Sequence, residues 1–125
     1  MLKSSLCIGT VAFLVLFSAC KKENKEDINK GFIQCDTTNV RYSTTIVGIM
    51  NTSCATQGCH ATGSNAANLS LDKYAIVKII ADNGKLLKVI NHQSGVVPMP
   101  SGAPKLDECS IAKIKKWVDD GAQNN

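Results

Sequence analysis

Six cysteines stand in a chain of 125 residues, at positions 7, 20, 35, 54, 59 and 109. They constrain the fold more than any other residue type, because the compartment decides what a cysteine can become. Inside a cell it stays a thiol, whereas outside it pairs or holds a cofactor. The N-terminus points to export. Met1-Leu2-Lys3 is a short basic lead, and residues 4–19, SSLCIGTVAFLVLFSA, are apolar or small almost throughout. That is the layout of a secretion signal. The apolar run is too short, and ends too abruptly in charge, to read as a membrane-spanning helix. No second long apolar run follows it.

The signal closes on Phe17-Ser18-Ala19-Cys20. Small residues at the two positions before a cysteine resemble a bacterial lipoprotein processing site. The resemblance implies that residues 1–19 are removed and that Cys20 receives the lipid and becomes the mature N-terminus. The protein would then be anchored on the periplasmic or cell-surface side of a bacterial membrane. Lys21 to Lys30, KKENKEDINK, is polar, mixed in charge and aperiodic. Residues 20–34 therefore read as the anchor and a flexible tether. The formal charge of +4 includes Lys3, which leaves with the signal. The remainder is mildly basic, and no basic cluster interleaved with aromatics argues for nucleic acid.

Residues 35–125 are expected to form one small domain. It has three aromatic residues, Tyr42, Tyr74 and Trp117, which is thin for a core of this size. No segment alternates cleanly, so an all-α fold is expected. The first helix is placed from Ser43, as N-cap, to about Asn51, with Ile46, Val47, Ile49 and Met50 as its apolar residues. Gly48 lies inside it, and close packing of Trp117 on that glycine is the expected helix crossing. A second helix is placed from Asp72 to about Ala81, ended by Asn83-Gly84, and a short third one from Lys85 to Ile90. The last helix opens at Asp107 as N-cap, carries Ile111, Ile114, Trp117 and Val118, and stops at Gly121 as C′. Lys113, Lys115 and Lys116 lie mostly off that stripe and read as a solvated face. All three prolines fall within Gly95 to Pro104, so no regular element fits there.

Cys54-Ala-Thr-Gln-Gly-Cys59-His60 follows the first helix directly. C-x-x-C-H is the attachment signature of c-type haem. Two thiols add to the two vinyl groups of one porphyrin, and the next histidine lies under the iron. Here four residues separate the cysteines, so the loop must bulge, and Gly58 gives it the freedom. The chain at this point resembles small bacterial cytochrome c domains found on lipoproteins and in larger secreted proteins. The resemblance covers roughly Cys35 to Ala122. It rests on Tyr42-Ser43-Thr44-Thr45-Ile46, Cys59-His60, Leu69-Ser70-Leu71, Pro98-Met99-Pro100 and the closing helix with Trp117-Val118-Asp119-Asp120-Gly121-Ala122.

That resemblance implies a cytochrome c fold of three to four short helices around one covalently bound haem c. First and last helices would cross, and the protein would be an electron carrier rather than an enzyme. By carry-over, Cys54 and Cys59 hold the haem, His60 is the proximal ligand and Met99 the distal one, so iron would be held by His60 and Met99. The residues themselves agree on Met99. A thioether is a soft axial ligand, and His/Met is a common pair in electron carriers. Pro98 and Pro100 restrict the backbone on both sides of it. His92 is the competing distal ligand. Leu69, Leu71, Ile76, Ile80, Leu87, Val97 and Ile114 are the candidates to line the porphyrin.

Four cysteines, 35, 54, 59 and 109, allow three pairings. If haem takes Cys54 and Cys59, only Cys35–Cys109 is left for a disulfide. Two other functions fit parts of the pattern. A Cys/His metal-binding module would use Cys54, Cys59 and His60, although no second C-x-x-C or H-x-x-H pair is present. A disulfide-stapled secreted binding domain would pair Cys54 with Cys59. No set of acid, base and nucleophile supports catalysis, and Asp119-Asp120 reads as a solvated helix end. The membrane, through the lipid, and a redox protein of unknown identity are the expected partners.

Overall fold

The structure is a computed structural model that describes residues 35–64 and 66–125. The signal segment 1–19, Cys7, Cys20 with its expected lipid, and the tether to residue 34 lie outside the described residues. A π-helical turn, Tyr42–Ile46, runs directly into α1, Val47–Ser53. Then come α2, Tyr74–Asp82, α3, Lys85–Ile90, and α4, Glu108–Asp119, with no strand among the described residues. The expected all-α class of about four short helices is what the chain forms. No helix among the described residues is long and apolar enough to cross a membrane.

Local chemistry explains the helix ends that fall where expected. Gly84 stands at φ +74° and separates α2 from α3, while the Asn83 side chain accepts the first N–H of α3, from Lys85, at 2.9 Å. Asp107 caps α4 by accepting the Ser110 N–H at 2.8 Å. At the far end of α4, Gly121 takes φ +92°. Its N–H returns to Val118 O, and the Ala122 N–H returns to Trp117 O at 2.9 Å. This paired closure satisfies carbonyls the helix would otherwise leave open.

Two starts differ from expectation, each because of a distant partner. Ser43 is not the N-cap of the first helix. The turn begins after Arg41, and its leading N–H groups are met from the far end of the chain. Tyr42 N–H donates to Asn125 Oδ1 at 2.8 Å, and Ser43 N–H to the main-chain oxygen of Asn125 at 2.9 Å. Asp72 does not open α2, which starts two residues later. Its carboxylate is engaged by Thr62, whose Oγ1–H and N–H both donate to Oδ2.

The core is formed by Ile46, Met50, Val77, Leu86, Ile90, Ile114 and Trp117, all essentially sealed from solvent. α4 packs on the π-helical turn and on α3, and α2 packs on α3. All three aromatic rings meet in one cluster. Tyr42 lies 5.6 Å from Trp117 and 4.7 Å, edge-on, from Tyr74 between ring centroids. The expected contact of Trp117 with Gly48 is not made. Gly48 is exposed, and a Cβ built on it would meet nothing within 4 Å. The indole needs a broad flat partner more than a gap, and Tyr42 supplies it. The polar tips of the same cluster hold the C-terminal tail. Trp117 Nε1–H donates to Gln123 O and Tyr74 O–H to Ala122 O, both at 2.9 Å.

Cys35 and Cys109 form a disulfide, with Cα atoms 5.2 Å apart across 74 residues of sequence. It joins the segment before the first helix to the first turn of α4. Lys115 and Lys116 are paired with Asp119 and Asp120, one turn on, so the basic face of α4 carries its own counter-charge.

Replacing both Cys35 and Cys109 with serine should lower unfolding free energy by roughly 4 kcal/mol in the chain-entropy account of so long a loop, read from the urea midpoint. Trp117→Ala should cost about 3–5 kcal/mol, because it empties the centre of the aromatic cluster. That would be a large part of the stability of a domain this size.

Candidate functional site

α1 ends at Ser53, and Cys54 is its C-cap, with the Cys54 N–H on Met50 O at 2.9 Å. The four residues between the cysteines fold back on themselves. Cys59 N–H donates to Thr56 O at 3.0 Å, and Gly58 N–H to Ser64 Oγ at 2.8 Å. Gly58 stands at φ +84°, so the freedom expected of it is used. The return brings the two ends of the motif together, with His60 N–H on Cys54 O at 3.1 Å.

His60 is the only polar or charged residue counted in the buried core of the described chain, at 9 % exposure. Its main chain is held again from the other side by Leu71 N–H, which donates to His60 O at 2.8 Å. Its ring is held by Ala66, whose carbonyl oxygen lies 2.8 Å from Nδ1. A carbonyl can only accept, so Nδ1 carries the proton. In the neutral ring, Nε2 then presents its lone pair. Fixing the tautomer through a carbonyl on the other nitrogen is how proteins orient a metal-bound histidine. The loop that supplies Ala66 is closed by the Thr62–Asp72 bonds. These hold the Asp72 carboxyl below its ordinary range, chiefly through the Thr62 hydroxyl.

Cys54 and Cys59 are both free thiols. They differ in surroundings. Cys59 is exposed and Cys54 half-buried. Burial, and secondarily the charge on Cys59, pushes the Cys54 thiol up to about 11. The structure therefore brings Cys54, Cys59 and His60 to one turn of chain after α1.

Met99 lies in the proline loop, half-buried, and the Met99–Pro100 peptide is cis. Its N–H donates to Val89 O at 3.0 Å, which fastens the loop to α3. His92 follows α3 and its Nε2 lies 3.0 Å from the Met99 carbonyl. Of the expected lining residues, Leu71, Ile80 and Ile114 are packed into the protein's own core, Leu69, Ile76 and Leu87 lie half-buried against it, and Val97 is 65 % exposed. Sequence reasoning gives no role to Ala66 or Thr62, and it reads Asp72 only as a helix start. A main-chain carbonyl has no residue-type signal, and only the Thr/Asp pair carried any hint.

Among the described residues, no three His, Cys, Asp or Glu side chains converge to hold a metal ion. A zinc centre on Cys54, Cys59 and His60 therefore lacks its ligand cluster, since zinc needs about four convergent donors. Comparison of the chain with protein-family models, with curated proteins and with solved structures returns no match.

Alkylation of the haem-free protein at pH 8 should label Cys59 well before Cys54, followed by mass spectrometry of the digest. With its thiol near 11, Cys54 is ionised in only about one molecule in a thousand at that pH, and the thiolate is the reactive form. Raising the pH should narrow the difference.

Proposed function

We propose that the chain is an exported, lipid-anchored c-type cytochrome that carries single electrons through one covalent haem c. The observation that carries this reading is the state of His60. It is buried and follows directly on a free thiol, and its Nδ1 is tied to Ala66 O at 2.8 Å. That leaves Nε2 as a lone-pair donor. The donor set fits the group. Cys54 and Cys59 are the thiols for the porphyrin vinyls, His60 is the proximal ligand and Met99 the distal one. Cys20 is the lipid site.

Haem c supplies, when bound, a one-electron iron couple whose potential a His/Met pair raises. The chain's part is to orient and to shield. The Ala66 carbonyl holds the His60 ring and its tautomer. The Val89 carbonyl fastens the Met99 residue, and the prolines on both sides of it limit how far that residue can move. Leu69, Ile76 and Leu87 pack half-buried against the core and keep part of their apolar surface outside it, and Val97 is exposed. A porphyrin would cover such surface, on a cytochrome c fold with the haem between the His60 turn and the methionine loop. The electron-transfer partner is a redox protein, and no side chain acts as a catalyst.

Two features favour this reading over a disulfide-stapled binding domain. Cys54 and Cys59 are unpaired thiols while Cys35–Cys109 is already a disulfide. The Ala66 carbonyl also holds the His60 ring with Nε2 as its acceptor nitrogen, the state that a metal-binding histidine needs.

Expression in a host with haem-attachment machinery should yield a covalent c-type signal in reduced pyridine spectra after denaturation. No such signal under competent maturation would sink the proposal. Mass spectrometry should show both Cys54 and Cys59 blocked, and Cys54→Ala should retain haem through Cys59 alone. Met99→Ala should lose the far-red methionine–iron band while keeping the haem attached.

A further inference from the structure

The loop between α3 and α4 has few ways to hold its shape. Pro98 and Pro100 have no N–H, so Met99 supplies the sole amide donor of that tripeptide. Both of its main-chain polar groups are engaged, and both at the end of α3. The Met99 N–H goes to Val89 O at 3.0 Å. The Met99 carbonyl lies 3.0 Å from His92 Nε2. Since a carbonyl only accepts, Nε2 carries the proton and donates it.

The backbone of His92 is equally informative. It stands at φ +53°, a region glycine enters freely and other residues rarely. Its own N–H donates to Val89 O at 3.2 Å, the carbonyl that also receives Met99. Glycine would suit this turn better as a turn. What histidine adds is the ring, and the ring's one hydrogen bond is to Met99.

We propose that His92 is the positioning residue for Met99: its ring holds the methionine peptide against the end of α3 and so sets where the thioether is presented. What the sulfur does there rests on the haem reading, whereas the bond itself does not. The same bond commits His92 Nε2 to the Met99 carbonyl and so takes that nitrogen out of competition as the distal ligand.

The test compares full-length wild type, His92→Gly and His92→Gln, each passed through the haem-maturing host. Amide exchange at Met99 is followed by NMR, and the far-red methionine–iron band by absorption. His92→Gly should melt no lower than wild type, since it relaxes the left-handed site. Its Met99 N–H should nonetheless exchange about tenfold faster, and the far-red band should fall by more than half with haem still covalently bound. His92→Gln, whose side-chain N–H reaches about as far as Nε2, should recover most of both. Exchange and band within twofold of wild type in His92→Gly would overturn the assignment. So would failure of His92→Gln to recover either, or a wild-type spectrum of two histidine ligands that His92→Gly converts to high spin. If wild type takes up no haem, the cytochrome reading falls, and the exchange comparison in the same three proteins still decides the role of His92.

Discussion

The indole of Trp117 meets Tyr42 inside the core, while its Nε1–H reaches outward to Gln123. One side chain thus performs two tasks. Its ring locks α4 to the π-helical turn, and its N–H pins the tail that follows α4. Tyr74 repeats the pattern from α2, with its ring on Tyr42 and its hydroxyl on Ala122. The tail so held delivers Asn125 to the leading N–H groups of the first helix. The domain has three aromatic residues and uses all of them at a single joint, where the first helix of the described residues meets Asn125. The Cys35–Cys109 disulfide adds a covalent closure between the segment before the first helix and α4.

That joint leaves the candidate site on its own scaffold. α1 ends as Cys54 begins, Cys54 and Ala55 pack against the core, and main-chain bonds close the motif turn. His60 is gripped at its N–H by Cys54, at its carbonyl by Leu71 and at its ring by Ala66. A histidine held at three points would lose little further freedom on binding the proposed haem iron, which is the benefit of preorganisation. The proline loop is arranged on the same plan. Met99 is held by its main chain at Val89 and His92, which leaves its side chain as the part that can be offered to a ligand.

Apart from the Cys35–Cys109 disulfide, the detailed readings that the structure bears out are those whose chemistry is local. Asp107 and Ser110 are three residues apart, so the cap of α4 is visible in the string. Asn83-Gly84 and Gly121 mark turns through glycine's access to positive φ. The expected Lys85–Ile90 helix is found at those bounds. Gly58 beside Cys59 takes the left-handed conformation that a four-residue spacer requires. The misplacements at Ser43, Asp72 and Gly48 share one cause. Each depends on a partner ten or more residues away: Asn125 for the first helix, Thr62 for Asp72, and Tyr42 for the indole expected on Gly48.

By itself, then, the sequence determined the all-α class and the turns at Asn83-Gly84 and Gly121, because residue type and spacing within a turn carry that information; Cys54, Cys59, His60 and Met99 are candidate ligands through a family resemblance. The sequence left three cysteine pairings open, and it left His92 in competition with Met99. Only the tertiary structure decided that Cys35 meets Cys109, that Ala66 sets the His60 tautomer, and that the ring of His92 is committed to the Met99 carbonyl. The physical reason is that these depend on where main-chain carbonyls and distant sulfurs arrive in space. A carbonyl is the same in every residue, so its position is written in the fold and not in the letters.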